Sequence, residues 1–296
     1  MRTPDGGDRP VNERIAGWKS GGTLEEIGGH RIFVRRGSGT GPLVVLLHGY
    51  PSCSYDWRLV LPQLEATGAE VLAFDFLGFG LSDKPAAHVY SLPVQADLVE
   101  HLIGGRTARL IGHDMGTSVA NELMARDLEG KLSFPLNGVL LFNGSMILDR
   151  AHLTPSQKVL RSRFGPLLAK FSSERLFRLQ FARIFSAAHP LTDEEAADQW
   201  ALLAHNNGNK IIDRLTYYLH ERVEFASRWH GALRDWPGNL QLCWAGADPV
   251  CVEGVLQAVL DLRPGAPLTR WPELGHYPQL EDPETVGQDL ARFAGT

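Results

Sequence analysis

Residues 110–118 read LIGHDMGTS, an apolar run that carries Asp114 between Gly112 and Gly116. That spacing is the spacing of a nucleophile elbow, the sharp strand-to-helix turn where a serine usually stands. A carboxylate at the turn changes the chemistry. Serine attacks an acyl carbon, and water later attacks that same substrate carbon. A carboxylate is suited instead to displacing a leaving group in line from a saturated carbon, which leaves an alkyl ester on the enzyme. A base must then activate water against the side-chain carbonyl. Two residues further along complete the set in the order nucleophile, acid, histidine: Asp248 in AGADPV and His276 in LGHYPQLEDP. His276 would take the proton from water, while Asp248 holds the imidazole tautomer and steadies the imidazolium. Singly, each motif is weak, since Asp248 could simply begin a turn and His276 could be a loop histidine. Their combination and order point to hydrolysis at saturated carbon with no cofactor and no metal.

Such residues need a scaffold, and the sequence supplies one. PLVVLLHG (42–49), VLAFDFLG (71–78), ARLIGHD (108–114), NGVLLFNG (137–144) and LQLCWAGAD (240–248) are apolar runs ending in polar residues or glycine. Runs of that kind are parallel strands buried on both faces. YSLPVQADLVEHLIGG (90–105), GTSVANELMARDLEG (116–130) and VEGVLQAVLDLRPG (252–265) have the apolar spacing of helices and end at glycine. TLEEIGGHRIFVRRG (23–37) reads as a hairpin, and a last helix begins near Asp282-Pro283. The expected fold is α/β: a mostly parallel, doubly wound sheet with its site at the C-terminal strand ends. The alternation fails over 145–232, where only helical patterns occur. That predicts a helical cap (145–232) inserted before the last two strands of a core made of 18–144 and 233–296. The polar, Gly- and Pro-containing segment 1–17 is expected to be flexible.

Bulk composition narrows the function classes. The chain has 296 residues, 44% hydrophobic and 21% charged, with a net charge of −5 and a pI of about 6.1. That charge makes no electrostatic case for nucleic acid or an anionic membrane as partner. Cys53, Cys243 and Cys251 are too few and too scattered for a disulfide framework. No apolar run is long enough to span a membrane, and the N-terminal stretch has no apolar signal core, so a reducing, cytoplasmic location is expected. A monomer or homodimer acting on a small molecule fits these numbers.

HGYPSCSYDWR (48–58), DFLGFGLSDKP (74–84), GHDMG and GHYPQLEDP resemble the α/β-hydrolases with an aspartate nucleophile, which include epoxide hydrolases and haloalkane dehalogenases. HNNGNKIIDRLTYYLHERVEFASRWHGAL (205–233) is similar to the cap of a narrower group, the mesoderm-specific transcript protein and its bacterial relatives. The resemblance runs from about Trp18 to the C-terminus. It implies that the backbone amides of Tyr50 and Met115 form the oxyanion hole, with His48 structural. Similar dehalogenases hold a departing halide with a Trp just after the nucleophile, whereas this chain has Met115 there. Similar epoxide hydrolases protonate the alkoxide from cap tyrosines, which here are Tyr218 and Tyr217; adjacent helix positions diverge by about 100°, so one of the two should face the sheet, and Tyr218 matches the family position. Some relatives carry the triad acid where this chain has Asn143, and an amide cannot be the charged partner, which favours Asp248. Asp75 is expected to tie down its own Gly-rich turn, Asn206-Asn207-Gly208 to break a cap helix, and Trp200 to pack in the cap. The leading expectation is epoxide hydrolysis to a vicinal diol. Haloalkane dehalogenation and non-catalytic binding of a small apolar ligand are the alternatives.

Overall fold

The computed structural model describes residues 13–295. Helix α1 (Glu13–Ser20) leads into β1 (Thr23–Ile27) and β2 (His30–Arg36). Next come β3 (Leu43–Leu47), α2 (Leu61–Glu65), β4 (Glu70–Phe74), α3 (Leu92–Ile103), β5 (Ala108–His113), α4 (Met115–Leu128) and β6 (Leu136–Phe142). A helical stretch follows: α5 (Pro155–Leu160), α6 (Gly165–Lys170), α7 (Glu174–Phe181), α8 (Asp193–Ala204), α9 (Ile212–Leu215), α10 (Tyr218–Glu224) and α11 (Ala226–Asp235). The chain closes with β7 (Leu240–Ala245), α12 (Glu253–Leu262), β8 (Leu268–Trp271), α13 (Pro278–Glu281) and α14 (Pro283–Gly295).

All eight strands form one sheet in the order β1-β2-β4-β3-β5-β6-β7-β8. The β1–β2 and β2–β4 pairs are antiparallel and the rest are parallel. Burial explains the apolar runs. Every residue of β3 and β5 is buried, because helices cover both faces of the parallel part of the sheet. The register pairs Leu47 with Gly112, His113 with Phe142, and Phe142 with Cys243. The C-terminal ends of β3, β5, β6 and β7 therefore stop along one line, and the loops that leave them share one edge of the sheet. None of the described helices is long and apolar enough to cross a membrane.

Three boundaries differ from the sequence reading. Residues 1–12 of the segment expected to be flexible lie outside the described residues, whereas 13–17 belong to α1, where Ile15 and Trp18 are buried. The 71–78 strand stops at Phe74, since Asp75 and the following turn are drawn into loop hydrogen bonds. Helix α11 straddles the expected cap boundary and packs along α4, with Trp229 Nε1 donating to Glu122 at 2.9 Å. Its amphipathic face covers the sheet layer rather than the cap. The helix break at Asn206-Asn207 is present, with both residues at positive φ.

The sharp turn at the head of α4 depends on Gly116. A Cβ there would meet the Leu47 backbone oxygen at 2.2 Å, and that oxygen is fixed in the sheet. Gly116→Ala should destabilise the fold by about 2–3 kcal/mol, the usual cost of forcing extra volume into a packed core. A lowered urea midpoint at unchanged m-value would show it.

Candidate active site

Strand β5 ends at His113 and the backbone turns at Asp114, with φ 43° and ψ −108°. That conformation is strained for a residue with a side chain, and three donors hold it. The Asp114 carbonyl accepts from Thr117 N–H at 3.1 Å, Thr117 Oγ1 at 2.6 Å and Arg222 Nη2 at 2.9 Å. The turn points the buried Asp114 carboxylate at the loop after β3, where Tyr50 N–H donates to Oδ2 at 2.9 Å. Gly49 allows this approach, because a Cβ on it would lie 2.8 Å from Asp114 Cβ. Met115, the second expected amide donor, heads α4 beside the carboxylate.

The loop that carries Tyr50 is fastened from below. His48 donates from Nδ1 to Gly49 O at 2.8 Å and accepts from Phe76 N–H at Nε2 at 3.0 Å. Burial lowers its pKa to about 3, so it is a neutral structural histidine, as expected. Asp75 accepts from Leu81 N–H within its own turn, and also from the Ser54 amide and hydroxyl in the Tyr50 loop. It thus ties two loops together, more than the sequence reading gave it. Asp56 on the same loop accepts from Ser52 Oγ and Gln199 Nε2, and burial lifts its pKa to about 7.

Asp248 and His276 meet at the ends of β7 and β8. His276 Nδ1 lies 2.7 Å from Asp248 Oδ2. The same oxygen accepts from Asn143 Nδ2 at 2.8 Å, and Oδ1 accepts from the amides of Val250 and Cys251 at 2.7 and 3.0 Å. Burial would raise the Asp248 pKa, but the charge of His276 and these bonds outweigh it and hold the carboxyl below its ordinary value. Asn143, at φ 45°, also accepts from Ala245 N–H at 2.9 Å. It positions the acid instead of replacing it. His276 has its own brace: its carbonyl accepts from His113 Nε2 at 2.7 Å, while Gln279 Nε2 lies 3.3 Å from His113 Nδ1. Burial keeps His113 neutral, with a pKa of about 4. For His276 itself, burial alone would lower the pKa. The charges of Asp248 and Asp114 and the hydrogen bond to Asp248 reverse that and lift it to about 8.

Asp248, Cys251 and His276 hold potential metal-ligand atoms within 4.8 Å of one another. Each is already committed. Asp248 carries the four partners above, and the Cys251 thiol, pushed well above its ordinary pKa by burial, donates to Asn143 O at 3.1 Å.

Helix α10 brings the cap down onto this edge. Tyr218 is fully buried, its ring 5.6 Å from Tyr50, whereas Tyr217 is 37% exposed. The pair divides as adjacent helix positions do, with Tyr218 on the buried side. The Tyr218 hydroxyl accepts from Gln157 Nε2 at 3.2 Å. No hydrogen bond among the described residues uses its own proton. One turn on, Arg222 is buried against Asp114, a residue the sequence reading missed. Its Nε donates to Ser118 Oγ at 2.8 Å, Nη1 to Ser145 Oγ, and Nη2 to Asp114 O, with Asp114 Oδ1 at 3.7 Å. The guanidinium also lies 4.6 Å from the Tyr218 ring centroid. A signal existed: Tyr218 and Arg222 are spaced i, i+4 and must share a face.

A cavity of about 280 Å³ opens in the cap between α5, α6, α7 and α8. Trp200, Phe177 and Ile212 line it, and Asp114 and His276 do not. Two links join it to the reacting groups. Tyr50 Oη reaches Ile212 O at 3.5 Å, and Phe177 stacks on Phe181, which packs on Tyr277 beside His276. Trp200 packs on Phe177 as expected, and its buried Nε1 has no hydrogen-bond partner among the described residues.

The geometry makes a direct prediction. The His276 ring should titrate near pH 8 by NMR, and Asp248→Asn should move that titration down by at least one unit, since it removes the charge that raises it. An unmoved titration would show that the Asp248 contact does not govern the imidazole.

The alpha/beta hydrolase family model matches residues 44–288. The chain is 50% identical over 275 residues to a protein of Mycobacterium tuberculosis named "Putative hydrolase LipZ", covering 92% of this chain and 94% of that one. It is 34% identical over 288 residues to the mesoderm-specific transcript homolog protein of Homo sapiens, covering 92% and 85%. Among solved structures, haloalkane dehalogenase DbeA from Bradyrhizobium elkani superposes with a TM-score of 0.77 at 22% identity, over 92% of this chain and 97% of that one. That likeness is one of fold.

Proposed function

The chain belongs to the alpha/beta hydrolase family, and from that premise we propose that it opens epoxides by attack of Asp114 on carbon and hydrolyses the resulting ester to a vicinal diol. The observation that carries this reading is the setting of the Asp114 carboxylate. Oδ2 is occupied by the Tyr50 amide, and Oδ1 faces the interior beside Arg222.

Oδ1 attacks an epoxide carbon, and the carbon–oxygen bond of the ring breaks. The alkoxide that forms takes a proton from Tyr218. Burial holds the Tyr218 pKa well above its ordinary value, so the residue waits as a phenol. Gln157 donates to the phenol oxygen, which leaves its proton directed elsewhere. In the second half, His276 takes a proton from water and the resulting hydroxide attacks Asp114 Cγ. Negative charge gathers on Oδ2, where the Tyr50 amide already points and where Met115 N–H is the second donor. Collapse expels the second alkoxide, which is protonated by His276. The proton left on the Asp114 carboxyl returns to Tyr218. The sum is epoxide plus water giving diol, with every group restored.

Epoxide is favoured over alkyl halide because Met115 offers no side-chain N–H to a departing halide, and an unsolvated halide in a dry site is costly. A buried phenol with an uncommitted proton is matched to an alkoxide instead.

His276→Gln should trap the intermediate when incubated with panels of epoxides and alkyl halides. The expected result is a mass gain equal to a whole epoxide, mapped to Asp114. A gain equal to an alkyl group without its halide would replace this reading with dehalogenation. No adduct on a folded variant would point to a ligand-binding protein. Tyr218→Phe should lower kcat on the epoxide by about 100-fold or more, with Tyr217→Phe close to wild type.

A further inference from the structure

Between residues 155 and 184 lie seven lysines and arginines against a single acidic residue, Glu174, in a chain whose net charge is −5. The same stretch forms α5, α6 and α7 and exposes large apolar side chains, among them Phe164, Leu167, Phe171 and Leu179, each more than half exposed. A lone exposed leucine is ordinary, but a concentration of such residues on consecutive helices marks an interaction surface. Lys158, Arg163, Lys170, Arg175 and Arg183 are exposed among them and make no ion pair with any described residue.

We propose that α5–α7 is the surface by which this protein docks on anionic lipid membranes. Bulky apolar side chains would enter the acyl boundary, and the basic residues would meet the headgroups. The charge is complementary to that occupant and unsuited to the others. A second copy joined by two-fold symmetry would press this basic patch against itself. A partner that binds a basic amphipathic helix needs one continuous helix with a single stripe, whereas α5 and α6 have six residues each and α7 has eight. The cap cavity opens within the same patch: Val159, Leu168, Phe171 and Leu176 both line it and are exposed. A lipophilic ligand would then pass from membrane to cavity without crossing bulk water. That last consequence rests on the hydrolase reading; the docking does not.

The test is cosedimentation of the full chain with phosphatidylcholine vesicles, with and without phosphatidylserine, at low and high salt. The expected result is binding that needs phosphatidylserine and weakens in salt. Lys170→Glu/Arg175→Glu should lower partitioning about 30-fold or more, and Phe164→Ser/Leu167→Ser should lower it too. Both pairs lie on the surface, melting curves check their folding, and the lipid and salt response of the unmodified chain decides the matter without them. Absence of binding, or equal binding to both vesicles, would overturn the proposal. So would a dimer that Phe164→Ser/Leu167→Ser dissolves, which would give the patch to a second copy. Soluble poly-glutamate bound as tightly as vesicles, with no effect of the apolar pair, would give it to an acidic protein. Because no variant touches Asp114, His276 or Tyr218, adduct formation on a soluble epoxide tests the hydrolase reading separately.

Discussion

A carboxylate buried at the end of a central strand is the constraint around which the site is built. Removing a carboxylate from water costs several kcal/mol even after relaxation. Arg222 Nη2 lies 3.7 Å from Asp114 Oδ1, a separation worth about 4 kcal/mol at the effective dielectric of a protein interior. The Tyr50 amide adds a charge-assisted hydrogen bond. Both groups come from outside the elbow, one from the loop after β3 and one from α10. The sheet thus depends on the helical stretch between β6 and β7 for the countercharge of its central side chain. The cap is pinned in return, because Glu221, beside Arg222, accepts from Ser91 Oγ and Leu92 N–H at the start of α3.

The same constraint orders the surroundings. His48, Asp75 and Asp56 fix the loop that carries Tyr50, and His113 and Asn143 fix His276 and Asp248. Two of these supports are histidines that burial keeps neutral, so they give directional hydrogen bonds without adding charge near Asp114. His276 is different. The carboxylates around it lift its pKa to about 8, so at neutral pH a large part of it is protonated until the pH rises through that value. Base catalysis should therefore strengthen on the alkaline side.

How much of this was legible depended on where each side chain finds its partner. β3 and β5 read correctly because strands buried on both faces must be apolar throughout. Asp114, Asp248 and His276 could be singled out because the elbow and the strand ends leave a local pattern, and the structure places all three at one edge of the sheet. Tyr218 was preferred to Tyr217 by likeness to a family, and the burial of one and exposure of the other agree with it. Arg222 was missed because LHERVE reads as a solvated helix face; only the descent of α10 onto Asp114 makes its charge a buried one. Asn143 was weighed only as a replacement for the acid, since its role as a donor to Asp248 spans 105 positions of sequence. The net charge of −5 is likewise an average, and it conceals a basic and apolar stretch between residues 155 and 184.

In the proposed reaction carbon–oxygen bond formation occurs at Asp114, and water attacks the enzyme, not the substrate. A single turnover in ¹⁸O-labelled water, with enzyme in excess over an epoxide, tests it directly. The expected result is a first-turnover diol without label and an Asp114 peptide that carries ¹⁸O, because the diol takes its new oxygen from the carboxylate. Label in the first-turnover diol, with Asp114 unlabelled, would mean that water attacks carbon directly and that Asp114 forms no ester.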